Sequence, residues 1–536
     1  MNALLPIAAL FPLVLFAIAA CWTAWRPRVA RLLWLAPLPA LAAALLAIGG
    51  TVAPPGSLAL ALDFPGAMLL GAAGLIWMAA GIAAPAFWGE KLQTLPYQSW
   101  WLLTMTGSLS VFMASNLVTF YLAFSLVSLA GYGLVTRDGG ARALRAGRVY
   151  FTLAVIGEAF LLTAFVLLAV GTPSGSIAIP DVVSALAASP LRDAALLFLL
   201  LGFGTKIGLV PLHVWMPPSY SAAPFPAAAV LSGAAVKAGV IGLARFLPFG
   251  TALSGWGEAL AIIGFFSAFF GVAIGLTQRN PKAVLAYSSI SQMGVIAAVA
   301  GLSLAGGRAA APSELAYYAL HHVFAKGGLF LALAAIAVTG PRHLRPILWP
   351  AVVIALGIAG LPLTGGALAK LAVKDALGNG LAGLLGSLSA AASTMLMLHF
   401  IARARTTAAS DASAEAPLAI RAAWWGAAAA ALLLPWLLFP SVAGDLHKAV
   451  EAKSLFDLAW PMLLGGAAFM GWSRLSHRPE LPPGDVLMLL RPATARLYRL
   501  ADRIAGLEAW ITTWPVAGTL LLLLAIGFGG AMLAAR

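Results

Sequence analysis

Five lysines lie inside stretches that are otherwise apolar enough to cross a lipid bilayer: Lys206, Lys237, Lys326, Lys370 and Lys374. A lysine at the centre of a bilayer costs roughly 2.5 to 3.5 kcal/mol unless it is hydrated or paired, so such residues usually mark a functional path. A desolvated lysine can both hold and release a proton near neutral pH, whereas arginine stays charged. The choice of lysine therefore indicates proton transfer inside a membrane.

Further titratable residues accompany these lysines. His322 lies four residues before Lys326, which places both side chains on one face of a helix, while His321 lies off that face. Glu158 is the only carboxylate near the middle of any apolar stretch. His399 lies near the end of another stretch, where it is either a proton exit or a histidine satisfied at the membrane interface.

The composition identifies the class of protein. With 536 residues, 62% of them hydrophobic and 9% charged, the chain is an integral membrane protein, since soluble domains carry about a quarter charged residues. A transmembrane helix needs about 20 apolar residues, and we predict an all-α polytopic protein of about fourteen to sixteen such helices. Our assignment has sixteen, with approximate limits 4–25, 31–50, 66–88, 100–114, 117–135, 148–170, 194–213, 226–247, 257–277, 283–303, 314–338, 347–377, 380–402, 421–441, 457–473 and 518–534. The single cysteine, Cys21, excludes a disulfide framework or a cysteine-ligated cluster within this chain, and we expect no cofactor.

Two of the predicted helices carry a lysine beside residues that break helices. In the first, Lys206 lies five residues before Pro211; in the second, GLPLTGGALAKLAVKD, proline and glycines precede Lys370, and Lys374 has Asp375 as a neighbouring ion-pair partner. A proline in a membrane is tolerated where protein or water satisfies the freed carbonyl, so we expect a hydrated cavity beside each break. The two helices are the seventh and twelfth and run in opposite directions. This predicts the inverted five-helix repeat that transporters use to place sites near the membrane midplane.

The net charge of +14 follows the predicted topology and does not indicate a nucleic-acid partner. Most of the basic loops fall on one side, which the positive-inside rule makes cytoplasmic. These loops contain Arg26, Arg28, Arg31, Arg137, Arg142, Arg145, Arg148, Arg279, Lys282, Arg342, Arg345, Arg403 and Arg405. We therefore expect a multi-pass protein of the bacterial inner membrane with its N-terminus and C-terminus outside.

Six motifs occur together and in order between residues 116 and 377. They are NLVTFYLAFSLVSLAGYGLV, GFGTKIGLVPLHVWMP, AAPFPAAAVLSGAAVKAGVIGLARF, NPKAVLAYSSISQMG, HHVFAKGGLF and GLPLTGGALAK. With these motifs the chain resembles the antiporter-like proton-channel subunits shared by respiratory complex I, group 4 membrane-bound hydrogenases of the hydrogenase-4 B-type and Mrp cation/proton antiporters of the D-type. The resemblance implies a proton-translocating subunit that has no redox or hydrolytic centre of its own. It also implies other membrane subunits of a larger complex as partners, and protons or sodium as the transported ion.

The resemblance assigns roles to individual residues. By motif, Lys206 resembles the central lysine of the first broken helix and Lys237 the lysine of the helix that follows. His322 and Lys326 resemble the pair that connects the two halves, and Lys370 the terminal residue in the second broken helix. Together these residues imply a chain of ionisable groups along the membrane midplane.

The chain departs from the family pattern at the fifth span. Family members usually carry a glutamate in a Trp-Glu dipeptide there, and this glutamate pairs with the broken-helix lysine; here the dipeptide is Phe124–Ser125. A counter-ion within about 4 to 6 Å favours the charged form of a lysine. We expect Glu158, on the next helix, to substitute as the partner of Lys206. Otherwise the subunit is impaired at the input of the proton path or couples by a modified mechanism.

The chain divides into N-terminal helices at 1–98, an antiporter-like core at 99–402 and C-terminal helices at 403–536. Within the last part, residues 485–512 have the pattern of a cytoplasmic amphipathic helix that lies on lipid or clamps a partner. Two alternative functions stay open: the membrane subunit of an inorganic-carbon uptake complex, and a structural spacer that does not conduct. The buried lysines argue against the spacer, because an idle subunit would be expected to lose groups that cost about 3 kcal/mol each.

Overall fold

The computed structural model describes residues 3–50, 59–476 and 479–481. In this part of the chain the regular structure is helical, with two isolated β-bridges, Leu60 to Ala114 and Asn116 to Ala178, and no strand. The predicted all-α polytopic fold is confirmed. The amphipathic helix predicted at 485–512 lies outside the described residues.

The helices in the first half of the described chain are α1 (Leu4–Cys21), α2 (Arg26–Leu32), α3 (Leu38–Ile48), α4 (Phe64–Trp88), α5 (Leu95–Ser110), α6 (Leu117–Thr136), α7 (Gly140–Val170), α8 (Ile179–Leu186), α9 (Arg192–Ile207), α10 (Met216–Ala222), α11 (Phe225–Val230) and α12 (Lys237–Phe246). Those that follow are α13 (Ser254–Gly275), α14 (Pro281–Ala305), α15 (Ala311–Ala337), α16 (Leu344–Ala359), α17 (Gly365–Ala372), α18 (Lys374–Leu377), α19 (Leu381–Arg405), α20 (Leu418–Leu438), α21 (Pro440–Ala443), α22 (His447–Val450) and α23 (Ala452–Arg474). Three short 3-10 helices, Thr23–Trp25, Gly89–Gln93 and Leu212–Trp215, and a π-helix, Leu231–Ala235, lie between them.

Twelve helical segments of the described chain are long and apolar enough to cross a membrane. The apolar helices α3 and α16 are shorter, and α5 has 16 residues. The predicted span at 518–534 lies outside the described residues. The predicted number of fourteen to sixteen spans is therefore not confirmed, although each of the other fifteen predicted stretches overlaps a helix.

The centre of the fold consists of helices that are buried on all sides. The apolar windows of α14, α15 and the segment Phe225–Phe246 are completely buried, whereas those of α1, α7, α20 and α23 are one-third buried or less. The outer helices expose large apolar side chains such as Leu437 and Leu463, as expected of surfaces that face lipid or other membrane subunits. Polar groups on the central helices must find partners within the protein.

Glycines bring α13 and α14 into backbone contact. Gly257, Gly264 and Gly271 repeat every seven residues on α13, and a Cβ atom built at Gly264 would lie 2.4 Å from the amide nitrogen of Ala298 on α14. Gly294 on α14 has the reciprocal arrangement, with a built Cβ 2.6 Å from both the Ala268 nitrogen and the Gly264 oxygen. Small residues at helix contacts allow this close approach in membrane proteins. The contact packs α13 closely against α14 along most of their length.

Both predicted helix breaks are present. Helix α9 ends at Ile207, and Gly208 follows in the left-handed conformation with φ of +77° before Pro211. Helix α16 ends at Ala359, and Gly360 follows with φ of +108° before α17 begins at Gly365. Glycine is favoured at such positions because it has no Cβ, and proline cannot continue the helix.

An ion pair ties the end of α12 to the loop before α4. Arg245 donates to the carboxylate of Asp63 over 2.6 Å and to the carbonyls of Val111, Phe112 and Ala114. Burial by itself raises the pKa of Asp63, but the Arg245 guanidinium and the hydrogen bonds from Arg245 and the Gly66 amide lower it more, so the net pKa lies below its usual range. This clamp joins the end of α12 to the loop before α4 and to the loop between α5 and α6, on the predicted outer side of the membrane.

Candidate functional site

Lys206 lies in the last turn of α9, immediately before the first break. Its side chain is buried, and Nζ donates to Ser128 Oγ on α6 over 2.8 Å. The same nitrogen lies 5.3 Å from the centre of the Phe124 ring, at a distance typical of a cation–π contact. A cation is also favoured at the carboxyl end of a helix, where free carbonyls concentrate negative potential. Both side chains that contact the Lys206 amine therefore come from α6, while the lysine itself lies on α9.

Glu158 on α7 points into the same cluster. Its carboxylate accepts a hydrogen bond from Ser125 Oγ and interacts electrostatically with the Lys206 ammonium. Ser128 lies one turn after Ser125 on α6, so the two hydroxyls lie between the carboxylate and the amine. The structure thus brings Glu158 and Lys206 together; a counter-ion role for Glu158 stays a prediction.

A small cavity adjoins this cluster. Its volume is about 20 Å³, and its lining includes Ser128, Tyr150, Thr205, Lys206 and Trp215. A cavity needs roughly 10 to 15 Å³ of such volume to hold one water molecule. The first break therefore has space for about one water beside the lysine, in a lining that is mostly apolar.

Lys237 is the first residue of α12 and is completely buried. It follows the π-helix Leu231–Ala235, and its Nζ donates over 2.8 Å to the Ser232 carbonyl within that turn. Lys237 Nζ also lies 2.7 Å from His322 Nδ1 on α15, which is a hydrogen bond between two titratable groups. π-turns inside helices are frequent at functional sites because they redirect backbone and side chains.

The segments that carry Lys206 and Lys237 are in contact. A Cβ atom built at Gly239 would lie 3.1 Å from Lys206 Cβ, and one built at Gly242 would overlap the Phe203 ring. The two glycines allow α12 to pack closely against α9. The contact is between the helices that carry the two lysines; in the described part of the chain, the hydrogen-bond partners of the two amines are different, Ser128 for Lys206 and Ser232 and His322 for Lys237.

Lys326 lies one turn after His322 on α15, as the spacing predicts. It is completely buried, and its Nζ donates over 3.1 Å to the carbonyl of Leu285 on α14. Lys237 and His322 both interact with it electrostatically. The three groups form one buried cluster at the centre of the fold.

His321 is a residue that the sequence reasoning left outside the relay. Consecutive helical residues point about 100° apart, so when His322 faces Lys237 its neighbour faces another helix. His321 interacts electrostatically with both Lys370 and His322, and a Cβ built at Gly366 would lie 3.0 Å from its ring. The two adjacent histidines in the sequence were the signal available for this role, because adjacent side chains on a helix face different neighbouring helices.

Lys370 lies in α17, just after the second break, and is half-buried. A Cβ built at Gly360 would lie 2.7 Å from Lys370 Cδ, so the glycine at the break also leaves space for the lysine chain. Lys370 lines a cavity of about 310 Å³ that extends to Gly378 and Asn379 in the loop after α18. The predicted cavities are thus present at both breaks, with very different sizes.

Lys374 lines the same cavity, but its ion-pair partner differs from the one predicted. Its Nζ donates over 2.7 Å to the carboxylate of Asp457 on α23. The prediction chose Asp375 because it is adjacent in the chain. On α18 consecutive side chains point apart, and a residue from another helix takes the position.

His399 and Lys282 lie near the predicted cytoplasmic surface. The Nε2 atom of His399 lies 2.8 Å from the carbonyl oxygen of Gln278, in the loop between α13 and α14. Lys282 lies 4.8 Å from the centre of the Phe225 ring. The structure does not bring His399 into the hydrogen bonds described above, and its role as a proton exit stays a prediction.

Comparison with known proteins gives a matching family model, similar sequences and a similar fold. The family model described as NADH:quinone oxidoreductase/Mrp antiporter, transmembrane, matches residues 114–395. The chain is 30% identical to hydrogenase-4 component B of Escherichia coli (strain K12), covering 43% of this chain and 36% of that protein. It is 32% identical to NADH-quinone oxidoreductase subunit N of Desulforudis audaxviator, covering 56% of this chain and 64% of that protein.

A chain in the Mrp complex structure from Dietzia sp. DQ12-45-1b shares the fold, with a TM-score of 0.73 and 22% identity. The match covers 99% of this chain and 63% of that one. The chain thus spans less than two thirds of each of these proteins.

Proposed function

We propose, since the chain belongs to the NADH:quinone oxidoreductase/Mrp antiporter transmembrane family, that it is an antiporter-like membrane subunit that relays protons through its buried lysines and histidines. The observation that supports this proposal most strongly is the 2.7 Å hydrogen bond between Lys237 Nζ and His322 Nδ1, both completely buried. One of the two groups donates and the other accepts, so a change of protonation at either one reverses or breaks the bond. A proton can therefore pass between them without entering lipid.

The relay runs along the centre of the fold. Lys206, next to a cavity with space for a water molecule, receives the proton and passes it to Lys237. His322 takes it from Lys237 and passes it to the neighbouring His321, which hands it to Lys370 on the other side of α15. The cavity beside Lys370 then leads from the last group toward the loop after α18. Lys326 interacts electrostatically with both Lys237 and His322, so protonation of one group disfavours protonation of its neighbours.

Glu158 takes the place of the glutamate that related subunits carry on the fifth span. The contact with Ser125, the residue at that family position, supports this substitution. A carboxylate there stabilises the charged form of Lys206 while the relay is at rest. The carboxylate at the input of the proton path then lies on α7 and not on α6, and the input is retained.

The subunit functions within a larger membrane complex. Its relatives include a subunit of NADH-quinone oxidoreductase and a chain of the Mrp complex, and its outer helices expose large apolar side chains that can pack against other subunits or lipid. In this proposal the chain lies in the bacterial inner membrane with both termini outside and holds no redox or hydrolytic centre. Redox chemistry in partner subunits, or a gradient of protons or sodium, drives the relay.

Proton translocation by membrane vesicles that contain the whole complex tests the proposal. Lys237→Ala is expected to lower the rate by at least about tenfold, because it removes the central relay group. The matched control is Lys448→Ala, an exposed lysine in a predicted outer loop, which should translocate at the wild-type rate. Immunoblots of the membranes check that both variants insert equally well.

Equal translocation by Lys237→Ala and wild type would refute the relay. A complex that assembles only with this chain but translocates no protons even as wild type would support the structural spacer instead. Uptake of inorganic carbon that depends on the chain would support the carbon-uptake alternative.

A further inference from the structure

Lys374 and Asp457 both line the cavity beside Lys370, together with Gly378 and Asn379 in the loop after α18. Helix α18 is a single turn, Lys374–Leu377, and its two flanking residues leave the helical conformation. Val373 separates α18 from α17 with φ of −101° and ψ of 3°, and Gly378 ends it with φ of +64°. The break at Val373 separates the turn from α17, where Lys370 lies, and Leu377 packs the turn against α19, since a Cβ built at Gly386 would lie 3.0 Å from Leu377 Cδ1.

One ion pair fastens this turn to a fixed support. The Lys374 ammonium and the Asp457 carboxylate are 2.7 Å apart, and their side chains are 40% and 37% exposed. Helix α23, which carries Asp457, is anchored on α19, since a Cβ at Gly465 would lie 2.2 Å from the Ala391 carbonyl oxygen. The support is therefore rigid, and the turn that it holds is small.

The strength of this contact suits a reversible closure. Ion pairs that are partly exposed contribute little to stability, because water solvates the separated charges well. Such a pair forms and breaks readily, in contrast to a buried pair, which leaves an uncompensated charge when one partner moves. Asp457 also lies beyond residues 114–395, so it comes from outside the segment that the family model matches.

We propose that the Lys374–Asp457 ion pair is a gate. When the pair is formed, it holds α18 across the path from Lys370 to the outer solution; when it breaks, α18 pivots at Val373 and Gly378 and water reaches Lys370. This inference rests on the proposed function only where it makes Lys370 the group that exchanges protons with that water.

Thiol labelling from the outside of intact cells tests the gate without measuring transport. The full chain carries Cys21→Ser, which removes its single cysteine, and a reporter, Ala390→Cys, in the lining of the cavity. Asn379→Cys, at the exposed rim, reports access to the mouth. Leu463→Cys, on the exposed apolar face of α23, is the control for nonspecific reaction. The probe is a negatively charged, membrane-impermeant thiol reagent.

Breaking the pair from either side is expected to speed labelling of Ala390→Cys by about fivefold. The two variants are Lys374→Gln and Asp457→Asn, which change the local charge in opposite directions. A gate predicts faster labelling in both variants, whereas electrostatic attraction of the reagent predicts slower labelling in the first and faster labelling in the second. Exchange of the two charges, Lys374→Asp with Asp457→Lys, should return labelling to the slow rate, and Asn379→Cys should label at one rate throughout.

Three results would overturn the gate: an unchanged rate at Ala390→Cys in both variants, opposite changes in the two, or a deep reporter that never labels while the rim reporter does. These results do not depend on proton flow. If the Lys237→Ala test refuted the relay, the labelling pattern would still be expected. If the labelling test refuted the gate, the translocation rates would still test the relay.

Discussion

The two helix breaks hold their lysines in opposite settings. Lys206 precedes its break, is hydrogen-bonded to Ser128, lies in electrostatic contact with Glu158 and adjoins a cavity of about 20 Å³. Lys370 follows its break and faces a cavity of about 310 Å³ that reaches a surface loop. One lysine is enclosed by fixed dipoles and a carboxylate, while the other meets a space large enough for many waters.

This difference indicates a direction for the path. An enclosed group exchanges its proton mainly with neighbouring groups, whereas a group beside a large cavity can exchange its proton with water. In the proposed relay the two broken helices therefore have unequal roles: the first controls the input of protons and the second exchanges them with water. The Lys237–His322 hydrogen bond joins them.

The largest expected effect comes from removing that junction. His322→Ala deletes the ring that accepts from or donates to Lys237, so we expect proton translocation by the complex to fall by about a hundredfold. His447→Ala, an exposed histidine on a predicted outer loop, is the matched control and should leave the rate unchanged. A rate within twofold of wild type for His322→Ala would show that the halves communicate by another route.

The next effect concerns the enclosed half. Glu158→Gln keeps the size of the side chain but removes the charge beside Lys206, and we expect a loss of about tenfold in translocation. Adding Ser125→Glu should restore part of the activity, because a carboxylate returns to the family's usual position. Ser125→Gln in the same background is the uncharged control and should restore nothing. Full activity of Glu158→Gln would mean that the side chain only satisfies polar groups between helices.

A smaller contrast is expected within the hydrated half. Lys370→Ala removes the last relay group and should reduce translocation severalfold more than Lys374→Ala, which removes only the partner of Asp457. Initial rates of dye quenching in the same vesicles would measure both. Comparable losses from Lys374→Ala, with Lys370→Ala harmless, would reverse the two roles.

The smallest expected effect is on stability and concerns the Asp63–Arg245 clamp, away from both helix breaks. Because the folded-state pKa of Asp63 is depressed, its contribution to stability is present above the unfolded pKa of about 4 and is lost as pH falls through the lower folded value. The Asp63 side chain is 49% exposed, so we expect Asp63→Asn to cost about 1 kcal/mol or less at pH 7. Thermal unfolding in detergent should show this difference at pH 7 and no difference near pH 2. An equal difference at both pH values would assign the effect to packing.

The sequence predicted the parts of the fold that depend on local pattern. Apolar runs gave the helices, and glycine with proline gave both breaks, because these signals act within one or two turns of a helix. It also gave the lysines, since a charged residue in an apolar run is conspicuous wherever it occurs.

Contacts between distant segments could not be predicted in the same way. The pairing of Lys374 with Asp457 joins residues 83 positions apart, and the π-turn that presents the Ser232 carbonyl to Lys237 has no sequence signature of its own. The approach of His321 to Lys370 depends on how α15 is rotated in the bundle. Periodicity states which residues share a face, but packing decides what each face meets.

The most direct test of the central claim is the proton translocation rate of Lys206→Arg in vesicles that contain the whole complex. Arginine keeps the positive charge beside Glu158 but cannot release its proton at physiological pH. If Lys206 functions by titration, this variant should lose translocation almost as completely as Lys206→Ala while inserting normally. Wild-type translocation by Lys206→Arg would contradict the account, because a fixed charge would then be sufficient.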